Sequence, residues 1–451
     1  MNSKSKIRLP DGCRFIIGRL RQNGYKGYAV GGCIRDSLLN RTPNDWDITT
    51  DALPERVVEL FPDIPVLLTG IQHGTVTLML DNEPYEVTTF RIDGDYSDGR
   101  HPDRVSFTTS IGDDLARRDF TVNAMAYNDE DGLIDPFGGS KDLEKKIIRC
   151  VGEPERRFHE DALRLLRAVR FSAQLGFSIE QNTLSTLKKL SPSITLVAKE
   201  RIFSELKKTV TAPSASDALR LAPDPFFAAV SELSVIRSTP QNSRYHIYDV
   251  WEHTLHALEH TPQDTVSRLA VLFHDVGKGV CRTVGKDGFD HFYGHPVHSA
   301  ELTRNALRAL RCDNKTLHDV VMLVELHDTH FPMRPAKFRR LLARLGYPLF
   351  FKLLDVSHAD SKAHAPWCIE ERCSALEEAR REALRLQSEN YCLTLKQLAV
   401  TGHDLTALGV NGRMIGEILH SLLDEVIIGQ APNDRAVLLN RAERIIQKKK
   451  T

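Results

Sequence analysis

Two aspartates one residue apart, Asp45 and Asp47, close the run GYAVGGCIRDSLLNRTPNDWDITT at positions 27–50. Side chains two apart on a strand point to one face. Two carboxylates on one face repel each other unless a cation lies between them. Mg²⁺ suits such a pair, because it takes a few carboxylates and completes its octahedron with phosphate oxygens and water. Two such ions can activate an attacking hydroxyl and stabilise a leaving pyrophosphate. Upstream, Gly31 and Gly32 precede a helix start, where backbone N–H groups can approach a triphosphate. Arg35, on the first turn of that helix, adds a cation. A lone D-x-D is usually an exposed polar loop, and a lone Gly-Gly is usually a turn. The combination GG-x-x-R-D, a short spacer and D-x-D is far more specific to phosphate chemistry. Trp46, between the carboxylates, must face away from them and reads as core.

A second constellation is EDALRLLRAVRF, in which Glu160, Asp161, Arg164, Arg167 and Arg170 recur at helical spacing. Asp161, Arg164 and Arg167 are three apart and share one side of a helix. They form either an ion-pair ladder on a solvated helix or, since Leu165, Leu166, Val169 and Phe171 make the helix amphipathic, the charged lining of a cleft. In a cleft they can read a base edge. Aspartate accepts from the amino group of cytosine or adenine, and arginine donates to cytosine O2 and N3 or to adenine N1. Uracil and guanine present the wrong pattern.

The third constellation is histidine-rich. WEHTLHAL, LAVLFHDVGKG, HFYGHPVHSAEL, VELHDTH and DVSHAD follow in order and supply His253, His274, Asp275, His295, His327 and Asp360. Imidazoles with carboxylates bind divalent transition metals, and such a site can turn bound water into a nucleophile against a phosphate ester. Most helical histidines are structural, and His256, His260, His298 and His330 are read so. Lys278 is at most a phosphate contact or a support for a ligand.

These residues sit in two textures. Up to about residue 140, short β-type runs alternate with turns and helices. TVTLML and YEVTTFRI flank DNEP as an antiparallel hairpin, and DDLARRDFTVNAMAYN passes from helix to strand. Beyond 140 strand signals nearly vanish and helical periodicity dominates, with a Pro/Ser/Ala-rich boundary near 211–226. QKKKT at the end reads as a solvated tail. The chain's 451 residues are enough for two or three domains. Sixty basic and sixty acidic residues leave no net charge, so nucleic-acid binding must come from local basic patches. Eight scattered cysteines without a CxxC pair argue against structural zinc and for a reduced compartment. Neither a signal peptide nor an apolar run of roughly 18 residues is visible.

From Gly27 to about Phe177 the sequence resembles the catalytic head of the nucleotidyltransferase superfamily, specifically the class II bacterial tRNA CCA-adding enzymes with the related bacterial poly(A) polymerases. HGTVTLML and YEVTTFR follow the family's paired strands, RRDFTVNA its second motif, and LIDPFGGSKDLEKKIIRCVG the segment after it. HDVGK, with its flanking histidines and later aspartate, resembles the HD phosphohydrolase superfamily. The resemblance implies an α+β chain. A polymerase-beta-like head with a mixed or antiparallel sheet (1–140) is followed by an all-α neck (141–215), an HD-type domain (216–370) and a C-terminal body (371–451). It implies that Asp45 and Asp47 bind Mg²⁺. Gly32, Arg35 and Arg118 contact the nucleotide, and Asn123 its ribose. Glu86 is either a third carboxylate or a cross-strand partner. Asp161 and Arg164 select the base, and Arg167 and Arg170 serve phosphate or helix support. The implied reaction is template-independent addition of CCA to tRNA from CTP and ATP, in the cytoplasm and away from membranes. A second divalent transition metal belongs to the HD residues. The alternatives are poly(A) or partial CC or A addition, or an HD phosphohydrolase whose head only binds nucleotide or RNA. Residues 90–107 read as a flexible loop whose presence favours complete CCA addition, or as a passive surface loop. Lys199, Arg201, Lys207 and Lys208 either follow the tRNA backbone or form a solvated face.

Overall fold

The computed structural model describes residues 7–94 and 105–450, which divide between Ser231 and Glu232 into two units. Among the described residues, nine strands occur in the first part of unit one: β1 (Gly27–Val30), β2 (Ile48–Thr50), β3 (Val66–Leu67), β4 (Thr75–Leu80), β5 (Glu83–Thr89), β6 (Arg91–Asp93), β7 (Val105–Phe107), β8 (Ala126–Asn128) and β9 (Gly132–Ile134). Seven of them make one sheet in the order β3-β4-β5-β2-β1-β8-β9. β2 and β5 run parallel, and the other neighbours run antiparallel. The fold is thus α+β with a mixed sheet in its head, as expected. Every residue of β1 and β2 is buried, which places the end of this central pair at the middle of the head. Tyr28 and Val30 pack with Phe90, Leu115, Ala126 and Val151 beneath it.

The β4–β5 hairpin forms with a tighter turn than expected. Only Asp81 (φ 52°) and Asn82 (φ 65°) are left unpaired. Both tolerate left-handed backbone, and this two-residue turn matches the strand twist. Glu83 and Pro84 belong to β5. Within the expected loop 90–107, β6 and β7 pair with each other. The rest of that loop, 95–104, lies outside the described residues.

The single helix expected through residues 160–171 is broken. One helix ends at Glu160, Asp161 is extended (φ −148°, ψ 105°), and a second runs Leu163–Leu175. The Asp161 carboxylate accepts the Leu163 N–H at 3.0 Å, the kind of local side-chain bond by which aspartate competes with helix continuation. The small-residue stretch expected as a boundary instead contains the helix Ala215–Leu221. It buries Ala215, Ser216, Ala218 and Leu219 and packs on Leu163–Leu175, since small side chains permit close approach of two helices. Two two-residue strands, Ile147–Ile148 and Ser178–Ile179, pair parallel where helix alone was expected.

Unit two is helical apart from the short pair Thr283–Val284 and Asp290–His291. One core cluster gathers Phe338, Leu342, Phe350, Leu354, Leu376, Leu386, Leu422 and Leu438. The expected terminal tail begins inside a helix, Arg435–Lys450. Among the described residues no helix is long and apolar enough to cross a membrane.

Candidate functional sites

β1 is followed by Gly31, whose backbone (φ 85°, ψ −128°) suits glycine alone. A Cβ there would lie 2.7 Å from Arg118 Nη1. The Gly31 N–H donates to Met125 O at 3.0 Å, and the Val30 N–H to Asp47 O at 2.9 Å. The turn is therefore pinned between the two neighbouring chain segments. Asp45 and Asp47 lie just ahead of β2 rather than inside it. Asp45 is exposed and Asp47 half-buried. Trp46 is also half-buried and not core, since it lies ahead of β2 and outside the sheet. Glu86 precedes Val87, the register partner of Ile48, so it flanks Asp47 across the parallel pair. It also stands opposite Thr77 on β4. Burial, then the Asp45 charge, push the Asp47 carboxyl up to about 6; Arg118 opposes this and Glu86 adds to it. Neighbouring carboxylates, one of them resisting ionisation, form a donor set suited to a hard divalent cation.

Beside them opens a cleft of about 490 Å³ lined by Gly32, Arg35, Asp45, Asp47, Arg118, Asn123, Asp161, Arg164, Arg167 and Arg170. The ten residues that the sequence assigned to the nucleotide and to Mg²⁺ thus face one space, while Glu86 is not part of its lining. The cleft also includes Arg117, Asp119, Phe171 and Arg201, which the sequence reading did not assign to it. Asp119 organises the floor. It accepts Arg167 Nε at 2.7 Å, Asn123 Nδ2 at 3.1 Å and the Phe120 N–H at 2.8 Å. Asn123 Oδ1 in turn accepts Arg35 Nη1 at 2.7 Å. Burial opposes ionisation of Asp119, but Arg167, the Asn123 amide and Arg164 hold its carboxyl well below the usual range. Arg35, Arg167 and Arg170 all stand over the Phe171 ring, 4.2–5.4 Å from its centroid, a cation–π arrangement that spaces like charges. Arg164 donates to Arg157 O, Arg117 O and Glu160, and Asp161 pairs with Arg201 at 2.8 Å. Arg201, four residues before the buried Glu205–Arg170 pair, faces the cleft rather than a solvated surface. The signal for Asp119 was its place in RRDFTVNA. For Arg201 the sequence carried none.

In unit two, the six expected residues also meet. His253 lies within Val250–Glu259, His274 and His327 cap the C-termini of Thr265–Phe273 and Asn314–Leu326, His295 opens His295–Ala309, and Asp360 is near the end of Pro335–Lys362. In each histidine Nδ1 is bound to a carbonyl: Val271 O and Val324 O at 2.7 Å, Phe292 O at 3.0 Å and Ala363 O at 3.2 Å. A carbonyl only accepts, so Nδ1 carries a proton and Nε2 points inward, where it can offer a lone pair when the ring is neutral. Two of these bonds, to Val271 O and Val324 O, use carbonyls in the last turn of a helix. His253 and His274 Nε2 are 3.4 Å apart, and His295 and His327 Nε2 3.2 Å. His253 Nε2 is 2.9 Å from Asp360, and Asp275 reaches His274 at 3.2 Å and His295 at 3.4 Å. Two ligand groups, His253–His274–Asp275 and Asp275–His295–His327, therefore share Asp275. Lys278, buried, is 2.7 Å from Asp275 and donates to Gln241 at 2.6 Å. Neither Asp275 oxygen accepts a well-directed hydrogen bond. His246 and His364, not anticipated, flank the cluster, His364 one helical turn beyond Asp360.

A mixed sheet presenting paired carboxylates beneath a glycine turn, against an arginine-lined cleft, defines a nucleotidyltransferase. Family profiles agree. The Poly A polymerase head domain matches residues 27–149, the "Probable RNA and SrmB- binding site of polymerase A" matches 176–224, and tRNA nucleotidyltransferase domain 2 matches 297–442. The CCA-adding enzyme of Geobacillus thermodenitrificans is 47% identical over 206 residues, 46% of this chain and 50% of that protein. That of Oceanobacillus iheyensis is 42% identical over 262 residues, 57% of this chain and 62% of that protein. The chain thus spans about half to three-fifths of the length of these curated relatives. The structure of the Bacillus stearothermophilus CCA-adding enzyme in complex with CTP superposes with a TM-score of 0.73 at 30% identity, covering 97% of both chains. The Thermotoga maritima CCA-adding enzyme complexed with tRNA shares the fold, with a TM-score of 0.60 at 20% identity over 97% of both chains. The chain belongs to the CCA-adding enzyme family.

Proposed function

We propose that the protein adds C, C and A to tRNA 3′ ends from CTP and ATP, in the cytoplasm and without a nucleic-acid template. The observation that carries this reading is the single cleft joining Asp45 and Asp47 to the base-reading pair Asp161 and Arg164. Asp45, Asp47 and Glu86 are the residues that would hold Mg²⁺, which, when bound, lowers the barrier to hydroxyl attack and stabilises the departing pyrophosphate. Burial and then the Asp45 charge push Asp47 up to about 6, which fits that role. The chain's own side chains do the rest. Gly31 allows the backbone to approach the phosphates closely. Arg35 and Arg118 meet the triphosphate charge, and Asn123, oriented by Arg35 and Asp119, meets the ribose. Asp161 and Arg164 meet the amino and acceptor edges that cytosine and adenine present. The tRNA 3′-hydroxyl then attacks the α-phosphate, and the bond to pyrophosphate breaks.

The test is incubation with tRNA lacking its 3′ end, Mg²⁺, and CTP and ATP singly and together. Addition of C, C and A, stopping there, is expected. Stopping at CC, or unlimited A, would move the reading to a partial enzyme or a poly(A) polymerase. No addition of either nucleotide would end it.

The inward-facing Nε2 atoms around Asp275 favour a second activity, metal-dependent phosphohydrolysis by unit two. Four inward-pointing Nε2 atoms and two carboxylates form a donor set for divalent transition metals, which bind in exchange for any Nε2 proton. His253, His274 and Asp360 stand on one side of Asp275, and His295 and His327 on the other.

A further inference from the structure

The carboxylate assigned to base reading is itself held from outside its own segment. Asp161 lies in extended backbone at the break between two helices, so no helical rotamer restrains its side chain. Three N–H groups do. The Leu163 N–H reaches Oδ1 at 3.0 Å, Arg201 Nη1 reaches Oδ1 at 3.4 Å, and Arg201 Nη2 reaches Oδ2 at 2.8 Å. An ionised carboxylate offers about four acceptor positions, so these contacts leave roughly one for a ligand. The planar fork of an arginine also fixes the plane of the carboxylate it grips, which a point charge does not.

Arg201 is in turn anchored. Its helix, Lys199–Val210, buries Ile202, Phe203 and Leu206. One turn on, Glu205 forms a buried pair with Arg170 at 2.8 Å. The helix therefore grips the base-reading segment at two points, Asp161 and Arg170.

We infer that Arg201 is a positioning residue for base selection, whose fork turns the one remaining acceptor direction of Asp161 toward the incoming base. The inference rests on the nucleotidyl-transfer reading. A base without an amino group at that place on its pairing edge then finds no donor partner, which is the case for uracil, and guanine presents an oxygen there. Without the fork, the Asp161 carboxylate swings about its last torsion and accepts from more than one direction. Discrimination should then fall while the reaction itself persists.

The experiment compares wild type with Arg201→Ala, Arg201→Lys, Asp161→Ala and the double variant Asp161→Ala/Arg201→Ala. Two readouts are used: kcat/KM for CTP against UTP on tRNA lacking its 3′ end, and calorimetric affinity for non-hydrolysable CTP and UTP analogues. The affinity ratio tests the inference even if no transfer is seen, so the two readings fail separately. Arg201→Ala is expected to lower the CTP:UTP ratio tenfold or more, with Arg201→Lys between it and wild type. The double variant should discriminate no worse than Asp161→Ala alone, since Arg201 acts through Asp161. A ratio within twofold of wild type in Arg201→Ala overturns the inference, whatever happens to the melting temperature. So does an equal rise in tRNA KM with every nucleotide, the signature of an RNA backbone contact. If Arg201→Ala does not fold, Arg201→Lys and Arg201→Gln carry the same comparison.

Discussion

Replacing Asp47 by asparagine should stabilise the metal-free head at neutral pH. Asp47 titrates near 6 in the folded protein because burial and the Asp45 charge disfavour its ionised form, Glu86 adding to them against Arg118. An unfolded chain ionises aspartate near 3.9. Between those values the folded state binds more protons than the unfolded state, so stability falls as pH rises through that window and stays reduced above it. A gap of about two pH units at ~1.4 kcal/mol each amounts to about 3 kcal/mol. Asp47 is only half-buried, so solvent screening reduces this to ~1–2 kcal/mol. Asparagine keeps the shape and removes the charge. Trp46, adjacent to the substitution, is the only tryptophan among residues 1–231. Equilibrium urea unfolding can therefore be followed by its fluorescence in a background where Trp251 and Trp367 are phenylalanine. The expected result in EDTA is a gain of ~1–2 kcal/mol for Asp47→Asn at pH 7.5 that disappears below about pH 4. Saturating Mg²⁺ should stabilise wild type more than the variant, because a ligand of the folded state adds stability by mass action. A variant equal to or less stable than wild type at pH 7.5 in EDTA would refute the reasoning that burial and the Asp45 charge disfavour the ionised Asp47.

Asp119→Asn leaves the Arg167 guanidinium facing an amide. Breaking a fully buried pair costs roughly 3–5 kcal/mol. Arg167 is 33% exposed, so a loss of ~2 kcal/mol is expected, with kcat/KM for CTP down roughly tenfold or more as Asn123 and Arg167 lose their anchor. The Asp119 carboxyl lies well below the usual range. Its stabilising contribution should therefore be constant from pH 8 to 5 and vanish only as pH falls below about 4, which denaturant melts at several pH values will check. In unit two, Asp275→Asn removes the carboxylate shared by both ligand groups. Wild type should bind Mn²⁺, Co²⁺ or Ni²⁺ by calorimetry and hydrolyse p-nitrophenyl phosphate with one of them. The variant should lose both properties while CCA addition persists, and a wild type that binds none of these metals would leave the histidines as packing.

Sequence spacing reveals residues whose chemistry is local and conceals those that act across the chain. Asp45, Asp47, Gly32 and Arg35 fall within sixteen residues, and a glycine turn with a short spacer is enough to show that they share a site. RRDFTVNA and EDALR are likewise self-contained, which is why their expected members reach the same cleft. Asp161 and Arg201 are forty residues apart, and nothing in the periodicity of Lys199–Val210 separates an arginine that enters the cleft from one that faces water. The same limit explains the broken helix. Three-residue spacing predicts an unbroken ladder, whereas one bond from a carboxylate to the backbone two residues on redirects the chain. That departure bears on function. On a continuous helix Asp161 would share a fixed rotamer with its neighbours. At a break its direction must be set by a partner, and the chain supplies that partner from the helix Lys199–Val210. The small residues at 215–221 were misleading for a related reason. Alanine and serine signal a linker when exposed and a close helix contact when buried, and composition is the same in both cases. The histidine cluster was easier to see, since its order along five elements survives without any knowledge of packing. What only the fold adds is the proton position on each ring. Four carbonyls take the Nδ1 hydrogens, and that aims four Nε2 atoms into one cavity.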